Sequence, residues 1–446
     1  MARAKKEAAL TPEERLQAAL VPDWEWPYKL PGNWCWTYLT KAAECLDNFR
    51  KPINATERAG RNGNVPYYGA TGQVGWIDDF LTDEDLVLLG EDGAPFLDLI
   101  KDKAYLITGK AWVNNHAHIL RSLFGDTGNR YLLHYLNSFN YAGYVNGTTR
   151  LKLTQASMDT IPIPLPPLAE QQRIVDRIES LFAKLDEAKE KAQAVVDSFE
   201  NRKAAILHKA FTGELTAKWR EEHGVRMESW EKKSVGELCI SLKYGTAKKS
   251  DASGNVVVLR MGNMQQGEID WSDLAYSNDP DDIEKYKLFP GDVLFNRTNS
   301  ATLVGKTAIY RGEHPAIYAG YLIKLDYDHD KIIGDYLNYA LNTLDAKKYC
   351  NSVKTDGVNQ SNINAKKIGA YSFNVPSIPE QEKIVSVIQK LLSKEQQTKE
   401  AAEIVLDQIE LMKKSILARA FRGELGTNDP SEESAVELLK RVLESK

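Results

Sequence analysis

Two blocks of this sequence each occur twice, at one fixed distance. LAEQQRIVDRIESLF (168–182) returns as IPEQEKIVSVIQKLL (378–392), pairing Glu170 with Glu380, Gln171 with Gln381, Ile174 with Ile384 and Ile178 with Ile388 at an offset of 210. AAILHKAFTGEL (204–215) returns as KSILARAFRGEL (414–425), with Phe211 against Phe421 and Gly213 against Gly423 at the same offset. Equal spacing across two blocks means that the segment joining them is a rigid element of set length, because a loop would drift. An internal repeat of this size constrains the fold before any local signal does.

The joining segments read as helices. In the first copy apolar residues fall at Ile174, Ile178, Leu181, Leu185, Ala188, Ala192, Val195 and Phe199, in alternating steps of four and three. That is a heptad seam. The second copy runs Ile384, Ile388 and Leu391, weakens at Glu395 and Thr398, and recovers at Ala402, Val405, Ile409, Met412 and Ile416. Proline-rich lead-ins (IPIPLPPL and NVPSIP) force an extended approach to each helix. Gly213 and Gly423 mark the ends. Each helix is expected to run for about 40 residues, on the order of 60 Å, with its own copy as the natural partner for the seam.

The regions ahead of the helices also match, more loosely. Trp34 pairs with Trp230, DLVLLGEDGA (85–94) with GDVLFNRTNS (291–300), YLLHYLNS (131–138) with YLNYALNT (336–343), and Gly147 with Gly357. The offset moves from 196 through 206 and 205 before it locks at 210. Both regions alternate β-branched or aromatic runs with Gly, Asn and Asp turns, as in QVGWI, AYLITG and KTAIYRG, which indicates many short strands. The expected fold is mixed α/β: two globular domains separated by two long antiparallel helices that form a coiled-coil spacer, with internal pseudo-twofold repeat. The boundaries are an N-terminal amphipathic extension at 1–23, a first globular domain at 24–160, a central helical region at 161–222, a second globular domain at 223–372, and a C-terminal helical region and tail at 373–446. TPEERLQAAL (11–20) and SAVELLKRVLES (434–445) are amphipathic, and are expected to pack near each other or against a partner.

Catalytic motifs are missing from the sequence. It contains no GxGxxG, GxxxxGK[ST], HExxH or GxSxG, and no Asn-Pro-Pro-Tyr stretch that would suggest an amino-methyltransferase. His116 and His118 in NNHAHIL would point the same way on a strand, but two imidazoles make a poor zinc site without a third ligand. No metal is therefore expected. The four cysteines, Cys35, Cys45, Cys239 and Cys350, never form CxxC, which fits a reducing cytoplasm. MARAKKEAALTPEERLQ has no apolar run behind its positive start, so no secretory signal is expected.

A net charge of −5 is weak evidence against a nucleic-acid partner, because a local patch is what phosphate meets. Basic and amide residues gather on Gly/Asn-rich loops in both regions. The first region offers Arg50, Lys51, Arg58, Arg61, Tyr68, Thr71, Asn114 and His116. The second offers Lys243, Lys248, Lys249, Arg260, Asn263, Asn296, Arg297, Thr298, Asn299 and Lys306. Arginine pairs with guanine and asparagine with adenine by two-pronged hydrogen bonds, while lysine and threonine fix phosphates. These are the candidate DNA-binding residues. The candidate spacer and partner residues are Ile174, Ile178, Leu181, Leu185, Phe199, Ile384, Ile388, Leu391, Ile409 and Ile416.

The run LPGNW, YYGATGQVGWID, LVLLGEDGA, NNHAHILR, IPIPLPPLAEQQRIVDRIESLF, ILHKAFTGEL and ILARAFRGEL resembles the specificity subunit of type I restriction–modification enzymes, from about residue 24 onward. The second half, with VVLRMGNMQQGEID and YKLFPGDVLFNRTNSATLVGKTAIY, is similar to a further target-recognition domain of that family. The resemblance implies a non-catalytic DNA reader. Each domain would read one half of a bipartite, asymmetric duplex site, and the helices would space the domains and dock two modification subunits. S-adenosylmethionine, ATP and Mg would be bound by those modification subunits and by restriction subunits, with no cofactor on this chain. The rivals are a single-chain restriction enzyme, disfavoured by the missing motifs, and a scaffold of paired domains that binds a non-DNA ligand such as a carbohydrate.

Overall fold

The computed structural model describes residues 11–358 and 360–445, so residues 1–10 of the expected extension, together with Asn359 and Lys446, lie outside the described residues. The helices of the described residues include α1 (Pro12–Ala19), α2 (Gly125–Ser138), α3 (Leu168–Asp197), α4 (Phe199–Phe211), α5 (Gly334–Leu341), α6 (Ile378–Ala420) and α7 (Ala435–Glu444). The chain divides into two compact units. Unit 1 holds residues 1–193 and 404–446, and unit 2 holds residues 194–403. Among the described residues no helix is long and apolar enough to cross a membrane.

The two units are built on one plan. In unit 1 an antiparallel sheet runs in the order Ala43–Cys45, Ala117–Ser122, Leu86–Gly90, Ala104–Ile107. In unit 2 the order is Cys239–Tyr244, Leu322–Tyr327, Val293–Asn296, Thr307–Ile309. The matched strands LVLLG and VLFN occupy the same place in each sheet and are buried throughout, which explains why they read as continuous apolar runs without alternation. The segment after each tryptophan pairs with the proline-rich lead-in: Cys35 sits opposite Leu165 in unit 1, and Glu231 opposite Val375 in unit 2. A second sheet in unit 1 joins Gly72–Ile77, Val65–Gly69, Lys110–Val113 and Thr82–Asp83. It places Gly72–Ile77 at an edge.

The helices depart from expectation in two respects. The second copy is one helix of 43 residues, but the first is interrupted at Ser198, between α3 and α4. Ser198 Oγ donates to the carbonyl of Ala194 at 2.6 Å, and Arg202 Nη2 donates to that of Val195 at 3.1 Å. Side chains that bond the carbonyls of the preceding turn in this way bend helices. The seam also shifts. Ala402 and Ile409 are buried and Ile416 is half-buried, but Val405 and Met412 are 40% and 49% exposed. The packed face of α6 in unit 1 instead runs through Leu406, Ile409, Lys413 and Ile416. The candidate spacer residues Ile174, Ile178, Phe199, Ile384, Ile388 and Ile409 are all buried, and Leu181, Leu185, Leu391 and Ile416 are half-buried.

Antiparallel pairing is visible inside each unit. In unit 1 Lys413 pairs with Asp186 at 2.5 Å and Lys189 with Glu410 at 2.6 Å. As one number rises the other falls. In unit 2 Arg202 pairs with Glu395 at 2.5 Å, and Lys399 lies 5.2 Å from the Phe199 ring. The repeated Glu-Gln pair explains why both helix starts look alike. Gln171 Nε2 donates to the Pro166 carbonyl at 3.2 Å and Gln381 Nε2 to the Pro376 carbonyl at 2.9 Å, satisfying oxygens that the proline lead-ins leave free. Glu170 and Glu380 are fully buried. Thr427 Oγ1 donates to Glu170 at 2.6 Å, and Arg173 Nε donates to it at 3.1 Å. Burial pushes the Glu170 carboxyl up, and the bonds from Thr427 and Arg173 oppose that shift. Glu380 accepts from Thr216 Oγ1 at 2.8 Å, Arg220 Nη1 at 2.7 Å and Trp230 Nε1 at 2.9 Å.

Gly213 and Gly423 take φ values of +81° and +72°, the left-handed conformation in which helices commonly end. A Cβ on Gly423 would stand 2.4 Å from Pro31 Cγ, so that end must remain glycine. The two amphipathic terminal segments come together within unit 1. Leu16, Ala19 and Leu20 from the α1 segment share a core with Ala435, Val436, Leu439 and Leu443 of α7.

Candidate nucleic-acid interface

The sequence-predicted basic residues separate into two groups by their partners. Arg50 is an internal brace: it holds the carboxylates of Asp47 and Glu91 and donates to the Ala117 carbonyl at 3.1 Å. Arg61 bonds Asp78 at 2.7 Å and lies 4.6 Å from the Trp112 ring. Lys243 pairs with Asp326 at 2.9 Å, Lys248 with Asp279 at 2.6 Å, and Arg260 with Asp273 at 2.9 Å. Lys306 Nζ donates to Gln265 Oε1 at 3.0 Å.

The other group has no polar side-chain partner among the described residues. Lys51 is exposed and rests 5.8 Å from the Trp112 ring. Arg58 stacks over Tyr67 at 4.8 Å and Arg297 over Tyr244 at 4.8 Å. Lys249 is exposed in its loop.

The amides and hydroxyls divide similarly. Asn263, 3% exposed, donates to the carbonyls of Asp270 and Asp273 at 2.9 and 2.8 Å. Asn296 is fully buried, and its Oδ1 accepts from the Thr298 amide at 3.2 Å. Thr298 Oγ1 accepts from Asn362 Nδ2 at 2.7 Å, and Asn299 Oδ1 accepts from the Ser300 amide at 2.8 Å. Tyr68 packs near the Tyr105 ring at 5.8 Å, and Thr71 is exposed in the turn before Gly72–Ile77.

His116 and His118 do not share a strand face. His116 lies in the turn ahead of Ala117–Ser122, and its Nδ1 meets Asp92 at 2.8 Å. His118 is buried, with Nε2 donating to the Leu153 carbonyl at 2.9 Å and Nδ1 at 2.6 Å from Asp47. Cys45, Asp47 and His118 bring ligand-type atoms within 4.8 Å of one another. Asp47 is already engaged by His118, the Ile119 N–H at 2.9 Å and Arg50 at 2.9 Å, so the trio acts as a polar fastening of this sheet edge. Burial alone would raise the Asp47 carboxyl. The hydrogen bond and charge of His118, the Ile119 amide and Arg50 outweigh it and hold Asp47 below its ordinary value.

A cavity of about 560 Å³ in unit 1 gathers Arg58, Asn114 and His116 from the sequence prediction and adds Asn54, Tyr67 and Asn115. Sequence reasoning missed Trp76, 56% exposed on the edge strand Gly72–Ile77, and in unit 2 Tyr244 and Tyr321, 41% and 47% exposed. The alternation in GQVGWI, which turns Trp76 away from buried Ile77, was the available signal for the first.

The model of the type I restriction modification DNA specificity domain matches this chain twice, over residues 46–196 and 227–405. The chain belongs to that family. Among its relatives, the type I restriction enzyme StySPI specificity subunit of Salmonella potsdam is 28% identical over 303 residues, 66% of this chain and 65% of that subunit. A putative type I restriction enzyme specificity subunit of Haemophilus influenzae is 27% identical over 364 residues, 79% of this chain and 86% of the relative. The chain thus spans slightly under two thirds of the StySPI subunit's length. A solved chain, from a structure concerned with complex assembly and conformational transition of the type I R-M system, shares the fold with a TM-score of 0.65. It is 18% identical, and the match covers 90% of this chain and 100% of that one. The twofold specificity-domain match falls on the two globular regions, each with part of the helix next in sequence.

Proposed function

We propose that this chain is the DNA sequence-specificity subunit of a type I restriction–modification complex. Each unit reads one half of a bipartite duplex site. The paired helices set the span between the readers and offer the surfaces on which two modification subunits dock. The chain supplies recognition only. Methyl transfer from S-adenosylmethionine, and ATP- and Mg-dependent translocation and cleavage, belong to the modification and restriction subunits that it positions.

One observation carries this reading. Two specificity-domain regions differ in their loops but sit on the same sheet order and the same buried Glu-Gln clamp, repeated at an offset of 210. Varied side chains on a constant frame are what sequence reading needs, because base edges are read by side chains while register is held by the scaffold. The test is binding to random duplex DNA with salt varied. Phosphate contacts give a steep loss of affinity with salt, whereas a paired scaffold for a neutral sugar does not.

A further inference from the structure

Each globular region contains one half-buried arginine that the fold leaves without a carboxylate. Between residues 24 and 160, Arg50, Arg61, Arg121, Arg130 and Arg150 each hold an Asp or Glu side chain. Between residues 230 and 372, Arg260 and Arg311 do the same. Among the described residues, Arg58 and Arg297 are the exceptions, apart from Arg226, which is exposed in the lead-in to Trp230. Each lies 4.8 Å from the centre of a tyrosine ring instead, Arg58 over Tyr67 and Arg297 over Tyr244.

Stacking fixes the plane of a guanidinium without occupying the N–H fork at its edge. Arg58 borders the 560 Å³ cavity. Arg297 uses one long bond, Nη1 to the Gly320 carbonyl at 3.3 Å, and its Nε is buried without a partner, which leaves the Nη end of the fork for a ligand. Both are half-buried, so the stems are held while the charge stays within reach of solvent.

The two arginines do not occupy equivalent places in the repeat. In the matched strands Arg297 stands where the first copy has Glu91, and Glu91 is locked internally by Arg50 and Lys152. Arg58 lies on the short helix Ala55–Ala59, in a loop region where the two copies diverge. One arrangement has therefore been built twice from different positions on one frame. That favours a shared ligand chemistry over a shared structural need.

We infer that Arg58 and Arg297 are specificity-determining residues, each reading a guanine, so that each half-site contains a G·C pair. This rests on the proposed reading of duplex DNA. A fixed, planar two-pronged donor matches the O6 and N7 acceptors of guanine in the major groove, and replacing N7 separates that reading from a phosphate contact, which does not involve the base.

The test uses the full chain with its modification subunits and duplexes that carry its selected site. In each half-site, guanines are replaced in turn by 7-deazaguanine, which lacks the N7 acceptor. For the unmodified chain, one such replacement per half-site is expected to weaken binding by about 5- to 150-fold. R58K should lose that sensitivity in one half-site only and R297K in the other, each retaining full discrimination in the half it does not touch. That retained half also shows that the variant is folded. Half-sites without a G·C pair, or R58K and R297K proteins that still sense every 7-deazaguanine, would overturn the inference while leaving bipartite reading intact. A chain without any sequence preference would overturn both.

Discussion

The hydroxyl of Thr427 donates to the carboxylate of Glu170 at 2.6 Å, joining the end of the second long helix to the start of the first. In unit 2, Thr216 reaches Glu380 at 2.8 Å, so the end of the first helical copy meets the start of the second. Each unit is closed by the far end of the other copy's helix. The repeated Glu-Gln motif is a structural clamp, and its identity follows from buried hydrogen bonding with no role in catalysis required.

The Glu380 clamp is expected to dominate the stability of unit 2. Glu380→Ala leaves the guanidinium of Arg220, 9% exposed, buried without its partner at 2.7 Å. Breaking a buried pair from one side costs about 3–5 kcal/mol. Thr216→Ala removes one hydroxyl bond and should cost about 1–3 kcal/mol. Urea unfolding of the two variants checks both values. Equal losses below about 1 kcal/mol would mean that the clamp is not what closes the unit.

Asp47 sets an acid limit on unit 1. Its folded carboxyl sits below the ordinary value of 3.8 because its bonds to His118, Ile119 and Arg50 exceed the cost of its burial. A depressed carboxylate contributes stability that is complete above its unfolded value and lost as pH falls through the folded one. Unfolding free energy should therefore decline below about pH 4 in the native chain. Asp47→Asn should be less stable at neutral pH and should show a flatter decline. A parallel acid profile for the two proteins would contradict the assignment.

Lys51 and Lys249, without carboxylate partners among the described residues, are expected to contact phosphate. Replacing either by alanine should weaken binding equally on all sequences and reduce the slope of log K against log salt by about 0.9. Arg50→Ala should instead lower stability, since Arg50 braces Asp47 and Glu91. Salt titrations of binding beside thermal melts separate the two effects.

The helices are expected to set the gap in the DNA site. Inserting four residues, one helical turn or about 6 Å, after Ala192 should lengthen the unread gap by about one to two base pairs and leave both half-sites unchanged. Methylation mapping reads the gap directly, and an unchanged gap would refute the spacer role.

Much of the fold was legible in the sequence because the informative signals were periodic or repeated. The offset from Glu170 to Glu380 located both helix starts, and the matched strands at 86–90 and 293–296 stand at equivalent places in their sheets. What was illegible depended on distant partners. Arg50 looks like a loop cation until Glu91, 41 residues away, is brought against it. Asn296 reads as a turn amide, yet it ends a strand buried from Val293 onward. Ser198 gave no warning of a break, because its bonds to the preceding turn become visible only in the backbone. The heptad pattern placed Val405 and Met412 on the seam, whereas packing selected the neighbouring face through Leu406 and Lys413.

Selection of bound sequences from random duplex DNA by the full chain with its modification subunits tests the central claim most directly. The expected result is two short fixed blocks separated by a stretch of unread bases, their centres about one turn of duplex, roughly 34 Å, apart. A single uninterrupted motif, or binding without sequence preference, would contradict it.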